Sequence, residues 1–471
     1  MKKSYNLLRE PWIPVADHHG ESRFMGIVEV LEQAPQLRGI VDASPLVEYG
    51  LYRLLVVFIM DALRPEEIFD LEDLLTEARF DMQRIHAYIS RCESEGCSFD
   101  LLDEKRPFLQ APYDPAWDKE KKPATYLDCR VPNGNNHVHF THGRSKQFLS
   151  YGEAARLLPT CSLFATAMTQ GYPSSINAAP PYFALLKGKN LFETLVNMML
   201  PMDEIADFDS VPVFWRCGDI VEPKKQVGKT SWLYGMLFPA RRVLLLPEEK
   251  GIGEIYLGQG LNFYDPGNWT DPHVTYRFGK NGRFPWRPDG ERPVWRNLND
   301  LIDIKDKHAP QVLGLFQRLH GDGSAYVHIC LYGVQTSQAS YLDLFYHDFQ
   351  LPVVLLQEER PKLVEQCIGE AETLAKNLAR SLAGTGVSNH MVQEAVQACY
   401  QACESALWEL CGTELAQAQV DGAAAISHWK ERRVWEQAIE RLGLTGKEWV
   451  QLYQKQAKWY LYLTTLQKGG E

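Results

Sequence analysis

The C-terminal quarter of the chain constrains the fold most, because its apolar residues recur at helical spacing between recognisable helix ends. Asn389 can cap one helix that stops at Gly412, and Thr445 with Glu448 forms a capping box for another. Four amphipathic helices with short links predict an antiparallel four-helix bundle. The helices are predicted over residues 363–382, 389–412, 424–441 and 445–466.

The preceding sequence mixes strand patterns, helical patterns and loops rich in Pro and Asn. Strands are predicted over 6–17 and 23–31, and one helix over 72–92. Another helix is predicted from Pro45, with Ser44 as its cap. The apolar run LDLFYHDFQLPVVLLQ is interpreted as buried. The fold class is therefore α+β: a large irregular N-terminal domain over 1–356, followed by the helical bundle over 357–471.

Composition narrows the function classes. The formal net charge of −11 argues against a freestanding nucleic-acid binder, since attraction to phosphate dominates sequence-independent binding. The ten cysteines include no CxxC pair, which indicates a reducing cytoplasm without a disulfide framework, zinc site or other cofactor. No secretory signal or membrane span is recognised in the sequence.

A basic segment interrupts this acidic chain. Residues 276–296 carry six Lys or Arg against Asp289 and Glu291, a net of 6 − 2 = +4, with Phe and Trp interleaved. Arginine and aromatic side chains together suit phosphates and stacked bases. The alternative is a solvated hairpin whose aromatic residues face the core. The basic residues are Arg277, Lys280, Arg283, Arg287, Arg292 and Arg296.

Two further motifs resemble a phosphate loop and a metal site, but their sequences favour neither function. VGKT at 227–230 resembles the end of a phosphate loop, but Pro223 stands where that loop needs a glycine. His137, His139 and His142 could share a metal, although no carboxylate or Cys lies close in sequence. A loop that meets solvent or a partner is favoured over a metal site.

Four segments, taken in order, resemble the large subunit of the type I-E CRISPR surveillance complex Cascade, the CasA family. The resemblance spans nearly the whole chain and includes the helical C-terminal region. The segments are NLLREPWIPV, HFTHGRSKQFLSYGEAARLL, KTSWLYGMLFPARRVLLLP and YGVQTSQASYLD.

The resemblance implies a subunit without catalytic activity. It would recognise the protospacer-adjacent motif (PAM) in duplex DNA, help open the duplex, contact the guide RNA handle and dock the nuclease-helicase. Its other implied partners are the backbone, small helical and handle-binding subunits of the complex.

The resemblance also assigns residues. Gln338 matches the family's wedge glutamine, with Ser337 and Ala339 beside it; a neutral amide can replace base-edge hydrogen bonds while a pair is split. Residues 170–179 match its glycine-rich loop, although the only glycine is Gly171. The small candidates there are Ser174, Ser175, Asn177 and Ala178. The candidates for its basic finger are Arg277 and Lys280, with Arg283 and Arg287 nearby, and those for handle contact are Phe140, His142 and Arg144.

Two alternatives remain open. One is a metal-dependent enzyme that processes nucleic acid through His137, His139 and His142. The other is a large subunit of another CRISPR subtype. The PAM preference does not follow from these residues.

Overall fold

The computed structural model describes residues 4–128, 147–166, 172, 174–217, 222–280, 282–321, 326–337, 340–357, 359–383, 387–413 and 415. The helices are α1 Ile27–Gln33, α2 Pro45–Leu63, α3 Ile68–Glu77, α4 Met82–Ser94, α5 Tyr151–Leu163, α6 Leu191–Val196, α7 Phe214–Cys217, α8 Trp232–Met236, α9 Leu298–Ile302, α10 Gln311–His320, α11 Arg360–Ala383 and α12 Asn389–Gly412. The strands are β1 Ile13–Asp17, β2 Ser22–Met25, β3 Leu37–Ile40, β4 Lys121–Pro123, β5 Phe183–Lys187, β6 Gln226–Val227, β7 Arg241–Glu248, β8 Gly251–Gln259, β9 Asn262–Phe263, β10 Tyr276–Gly279, β11 Gly282–Pro285, β12 Tyr326–Ser337 and β13 Ser340–Pro352.

The chain divides into two compact units. The first holds residues 1–290, 309–319 and 328–349, and the second holds 291–308, 320–327 and 350–471. The second unit therefore takes in two short segments that the sequence assigned to the first domain, and its continuous part begins before residue 357.

Helix α2 forms the centre of the first unit. Nearly every residue of α2 is buried, including the charged Arg53 and Asp61, which is expected of a helix that is apolar all round. Helices α4, α5, α6 and α8 pack against it. Antiparallel sheets surround this core in the strand orders β2-β1-β3, β4-β8-β7 and β13-β12-β5, and β10 and β11 form a hairpin.

Three local predictions were wrong. The strand over 23–31 ends at Met25, and α1 follows it. The helix over 72–92 is two helices, because Ala78 adopts a left-handed conformation and Asp81 caps α4. The run from Leu342 is not buried until Leu351, because β13 is an edge strand and its outer face is open.

Helices α11 and α12 pack against each other in the second unit and bury apolar residues that recur at helical spacing. The cap of α12 is Ser388, one residue before the predicted Asn389, and its hydroxyl accepts from the Met391 amide at 3.3 Å. The predicted helices over 424–441 and 445–466 lie outside the described residues. The α+β class with a helical C-terminal region is confirmed, and the four-helix arrangement stays a prediction. Across the described residues, no helix combines the length and the apolar character needed to span a membrane.

Candidate nucleic-acid interface

The structure describes nine of the residues that the sequence assigned to nucleic-acid contact, all within the first unit. They are Ser174, Ser175, Asn177, Ala178, Arg277, Lys280, Arg283, Arg287 and Ser337. The others fall outside the described residues, as do His137 and His139 of the alternative metal cluster. These undescribed candidates are Phe140, His142, Arg144, Gln338 and Ala339.

Residues 174–178, here called the small-residue loop, form a tight turn. The Ser175 amide donates to the Ala165 carbonyl at 2.9 Å, and the Ala178 amide donates back to the Ser175 carbonyl at 3.0 Å. Ala178 has φ of 66°, in the left-handed region that favours glycine. The loop thus contains a glycine-like conformation at a position that carries alanine.

A buried ion pair anchors this loop. Arg53 of α2 and Asp271 form two parallel hydrogen bonds of 2.8 Å, and both side chains are fully buried. The Asn177 amide nitrogen donates to Asp271 at 3.0 Å. Although burial acts to raise it, the adjacent Arg53 guanidinium holds the pKa of Asp271 below its ordinary value. The amide that the sequence offered for DNA contact is therefore buried and bonded inside the protein.

His273 completes this buried network. Its Nε2 lies 3.0 Å from the Met198 carbonyl, so Nε2 carries the proton, and the Tyr49 hydroxyl can donate to Nδ1 at 2.9 Å. Burial, reinforced by the nearby Arg53 charge, lowers the pKa of His273 to about 4. A neutral imidazole can donate from Nε2 to the Met198 carbonyl and accept at Nδ1 from the Tyr49 hydroxyl. A protonated imidazole carries a proton on Nδ1 as well and cannot accept that hydrogen bond.

The β10–β11 hairpin projects the basic residues. Arg277 pairs with Phe284 and Phe278 pairs with Arg283, so each face of the hairpin carries one arginine and one phenylalanine. Phe278 is 55% exposed and Phe284 is 44% exposed. Lys280 is exposed in the turn between the paired Gly279 and Gly282.

The aromatic residues of the basic segment divide between solvent and core. Trp286 and Trp295 are buried, in contrast to the two phenylalanines of the hairpin. Arg283 stacks on Tyr276 with its guanidinium 4.2 Å from the ring centre and donates to Thr270, whereas Arg287 is exposed.

The six basic residues divide between the two units. Arg292 and Arg296 belong to the second unit, where both pair with Glu372 at 3.3 and 3.0 Å. Arg296 also lies over the Tyr400 ring. Four basic residues stand in the first unit as candidates to meet an anion: Arg277, Lys280, Arg283 and Arg287.

The small-residue loop and the β12–β13 hairpin are anchored at the same place. Ser337 is exposed at the end of β12, and residues 338–339 link it to β13. Two residues after that link, the Tyr341 hydroxyl donates to the Phe164 carbonyl at 2.9 Å. The carbonyl of Ala165, the next residue, accepts the hydrogen bond from the Ser175 amide of the loop. Adjacent carbonyls at the end of α5 therefore fix both segments.

A second connection joins the loop to the β10–β11 hairpin. Asp271, whose carboxylate holds Asn177, donates its backbone N–H to the Tyr276 hydroxyl at 2.9 Å. Tyr276 is the first residue of β10 and carries Arg283 on its ring. The loop thus shares one anchor with each hairpin: the end of α5 with the β12–β13 hairpin and Asp271 with the β10–β11 hairpin.

Sequence reasoning missed this buried network. Arg53 and Asp271 are 218 residues apart, and nothing in their local patterns pairs them. A signal was nevertheless present, because a charged residue in the middle of the apolar run LYRLLVVFIM needs a buried partner. That signal requires a partner but does not identify it.

The comparisons with known proteins agree on one family. The family model of CRISPR-associated protein Cse1 matches residues 6–445. A CRISPR-associated protein CasA/Cse1 of Thermus thermophilus is 28% identical over 393 residues, which cover 79% of this chain and 76% of that protein.

Solved structures share the fold. A crystal structure of CasA from Thermus thermophilus has a TM-score of 0.80 at 22% identity and covers 98% of this chain and 100% of that one. A chain of a CRISPR RNA-guided surveillance complex has a TM-score of 0.76 at 18% identity, with 97% and 99% covered. The family match extends over most of the sequence and agrees with the resemblance found in its four segments. This chain belongs to the Cse1 (CasA) family of CRISPR-associated proteins.

Proposed function

We propose that this chain is the non-catalytic large subunit of a type I-E CRISPR RNA-guided surveillance complex. Membership in the Cse1 family supports the proposal, as does the likeness to a chain of a surveillance complex. Its partners are the backbone, small helical and handle-binding subunits, the guide RNA, duplex DNA with a PAM, and the nuclease-helicase. Phe140, His142 and Arg144 contact the guide handle in this proposal.

The DNA-directed part of the proposal depends on one observation above all. The small-residue loop and the hairpin that leads to Gln338 are held by the neighbouring carbonyls of Ala165 and Phe164. A loop that reads the PAM and a tip that splits the next base pair must act on adjacent steps of one duplex. Anchorage on consecutive residues keeps their spacing fixed.

The chemistry of the tip suits strand separation. Opening the first base pair costs a few kcal/mol, and later exchange of DNA pairing for guide pairing is nearly balanced. Help at the first step therefore has the largest effect on R-loop formation. Gln338 offers an amide to the separated base edge, and its neighbours Ser337 and Ala339 are small and uncharged.

The β10–β11 hairpin, with Arg287 just after it, supplies the anion-binding part. Arg277, Lys280, Arg283 and Arg287 would contact phosphates and position the DNA without reading its sequence. The exposed Phe278 and Phe284 would stack on unpaired bases. Because the whole chain has a net charge of −11, such a local basic element is what would attract phosphate.

Copurification tests the assembly. The tagged chain should be expressed with the other proteins encoded beside it and with a guide RNA. The expected product is an RNA-loaded particle with a backbone filament and a small helical subunit. A particle with a different subunit set would assign another subtype. Metal-dependent cleavage of nucleic acid by the isolated chain would contradict the non-catalytic role.

R-loop formation rates test the wedge. Gln338→Ala should leave assembly with guide RNA intact but slow opening of a fully paired target, since each lost amide contact contributes on the order of 1 kcal/mol. The defect should shrink on negatively supercoiled DNA and nearly vanish on a target mismatched beside the PAM. Gln83→Ala, on the exposed surface of α4, is the matched control. Equal loss on paired and mismatched targets would contradict a role in strand separation.

A further inference from the structure

A group of potential metal ligands lies on the β12–β13 hairpin, away from its tip. His328 and Cys330 are two residues apart on β12 and therefore face the same side of the sheet. Asp348 stands on the neighbouring β13. A ring nitrogen of His328, the Cys330 sulfur and a carboxylate oxygen of Asp348 all lie within 4.8 Å of one another.

Two other side chains orient the carboxylate. The Lys187 ammonium and the Tyr346 hydroxyl donate to Asp348 Oδ2 at 3.1 and 2.9 Å, while His328 Nε2 contacts Oδ1. Although partial burial acts in the opposite direction, the hydrogen bond from His328 and the nearby ammonium lower the pKa of Asp348 to about 2. One oxygen is thus held by the protein, and the ionised second oxygen points towards His328.

We propose that His328, Cys330 and Asp348 bind a zinc ion. Imidazole, thiolate and carboxylate are the three ligand types that zinc accepts, whereas a sulfur ligand disfavours Mg²⁺ and Ca²⁺. Bond lengths of about 2.0–2.3 Å place tetrahedral ligand atoms about 3.3–3.8 Å apart, which lies within the 4.8 Å that encloses these three atoms. The contacting His328 nitrogen and Asp348 oxygen would separate to admit the ion. Water would occupy the fourth position.

Binding requires one proton to leave. The Cys330 sulfur lies 3.7 Å from the Tyr346 hydroxyl, and zinc binds cysteine as the thiolate. Zinc displaces the thiol proton to solvent as the zinc–sulfur bond forms, and it replaces the contact between His328 and Asp348. The Lys187 ammonium stays beside the ion and repels it. We therefore expect weaker zinc binding than at a closed four-ligand site.

The position of the site indicates a structural role. The ion would connect the two strands of the β12–β13 hairpin, and Lys187 would couple the site to β5. Such a connection would stiffen the hairpin whatever its tip contacts. The inference therefore does not depend on the proposed function at the hairpin tip.

Cobalt and zinc binding by the full chain test the proposal. Metal-free protein should take up Co²⁺ with a thiolate-to-cobalt charge-transfer band and should bind about one equivalent of Zn²⁺ with a rise in melting temperature. Cys330→Ser should abolish the band. Asp348→Asn, which keeps the shape of the side chain, should weaken zinc binding by more than the roughly 10–100-fold that loss of an outer-shell partner causes.

Matched variants locate the metal. Cys161→Ser and His390→Ala remove the same residue types elsewhere and should leave both the cobalt band and zinc affinity unchanged. Zinc bound equally by Cys330→Ser and the parent chain would place the metal elsewhere and overturn the proposal. Absence of the thiolate band in the parent chain loaded with cobalt would overturn it as well.

Discussion

The small-residue loop and the β10–β11 hairpin are both proposed to meet DNA, yet the protein holds them in opposite ways. The loop buries Ser175 and Asn177 and is tied to the ion pair of Arg53 and Asp271. The hairpin instead exposes Phe278 and Phe284 on its two faces. The shape of the loop is determined from inside the core, whereas the hairpin presents its own side chains to solvent.

This difference separates two kinds of contribution to recognition. A change in the core should alter the loop without removing any group that touches DNA, and it should also lower stability. A change at an exposed hairpin side chain should weaken binding and leave stability nearly unaffected. Stability and binding measured on the same variants can therefore test the comparison.

The largest effect is expected at Asp271. Asp271→Asn keeps the shape of the side chain but leaves the Arg53 charge buried without a counterion, which should cost about 3–5 kcal/mol of unfolding free energy. Urea unfolding followed by tryptophan fluorescence measures this loss. Glu222→Gln, which disturbs the exposed pair with Lys225, is the control and should stay within about 0.5 kcal/mol. A loss below about 1 kcal/mol for Asp271→Asn would show that the ion pair does not determine the loop.

Acid should destabilise the same network through His273. The folded pKa of about 4 lies below the unfolded value near 6.5, so the unfolded chain binds the proton more readily between these pH values. The contribution of neutral His273 is fully present above about pH 6.5 and is lost as the pH falls towards about 4, by on the order of 3 kcal/mol. Urea unfolding from about pH 7 to about pH 4 should show a steeper decline for the parent chain than for His273→Gln. Parallel declines would contradict the assignment.

These buried contacts mark the limit of what the sequence could predict. Local signals located α2, α11 and α12 well. A long apolar run after Ser44 marked α2, and apolar residues at helical spacing marked α11 and α12. The exposed edge of β13 was missed because the exposure of a strand depends on its neighbours in the sheet, and an apolar run in the sequence does not identify those neighbours. The role of Asn177 was missed for the same reason, since its partner Asp271 is 94 residues away.

The hairpin should show the opposite response to Asp271. Phe278→Ala and Phe284→Ala should each change unfolding free energy by less than about 0.5 kcal/mol, since both side chains lie at the surface, 55% and 44% exposed. If the rings stack on unpaired bases, each change should weaken binding of single-stranded DNA to the assembled complex by about 1–3 kcal/mol. Fluorescence anisotropy at fixed salt measures this. Phe69→Ala, on the exposed face of α3, is the matched control. Binding equal to that of the control would exclude stacking.

The smallest effect, and the one that links loop conformation to sequence, is expected at Ala178. Its φ of 66° costs an L-residue roughly 1–2 kcal/mol, and glycine avoids that cost. Glycine in turn adds about 0.5–1 kcal/mol of unfolded-chain entropy, so Ala178→Gly should stabilise the protein by up to about 1 kcal/mol. Ala179→Gly, at the next position, is the control and should be destabilising. Urea unfolding measures whether each substitution raises or lowers the free energy of unfolding. Destabilisation by Ala178→Gly would mean that the left-handed turn is not a feature of the folded loop.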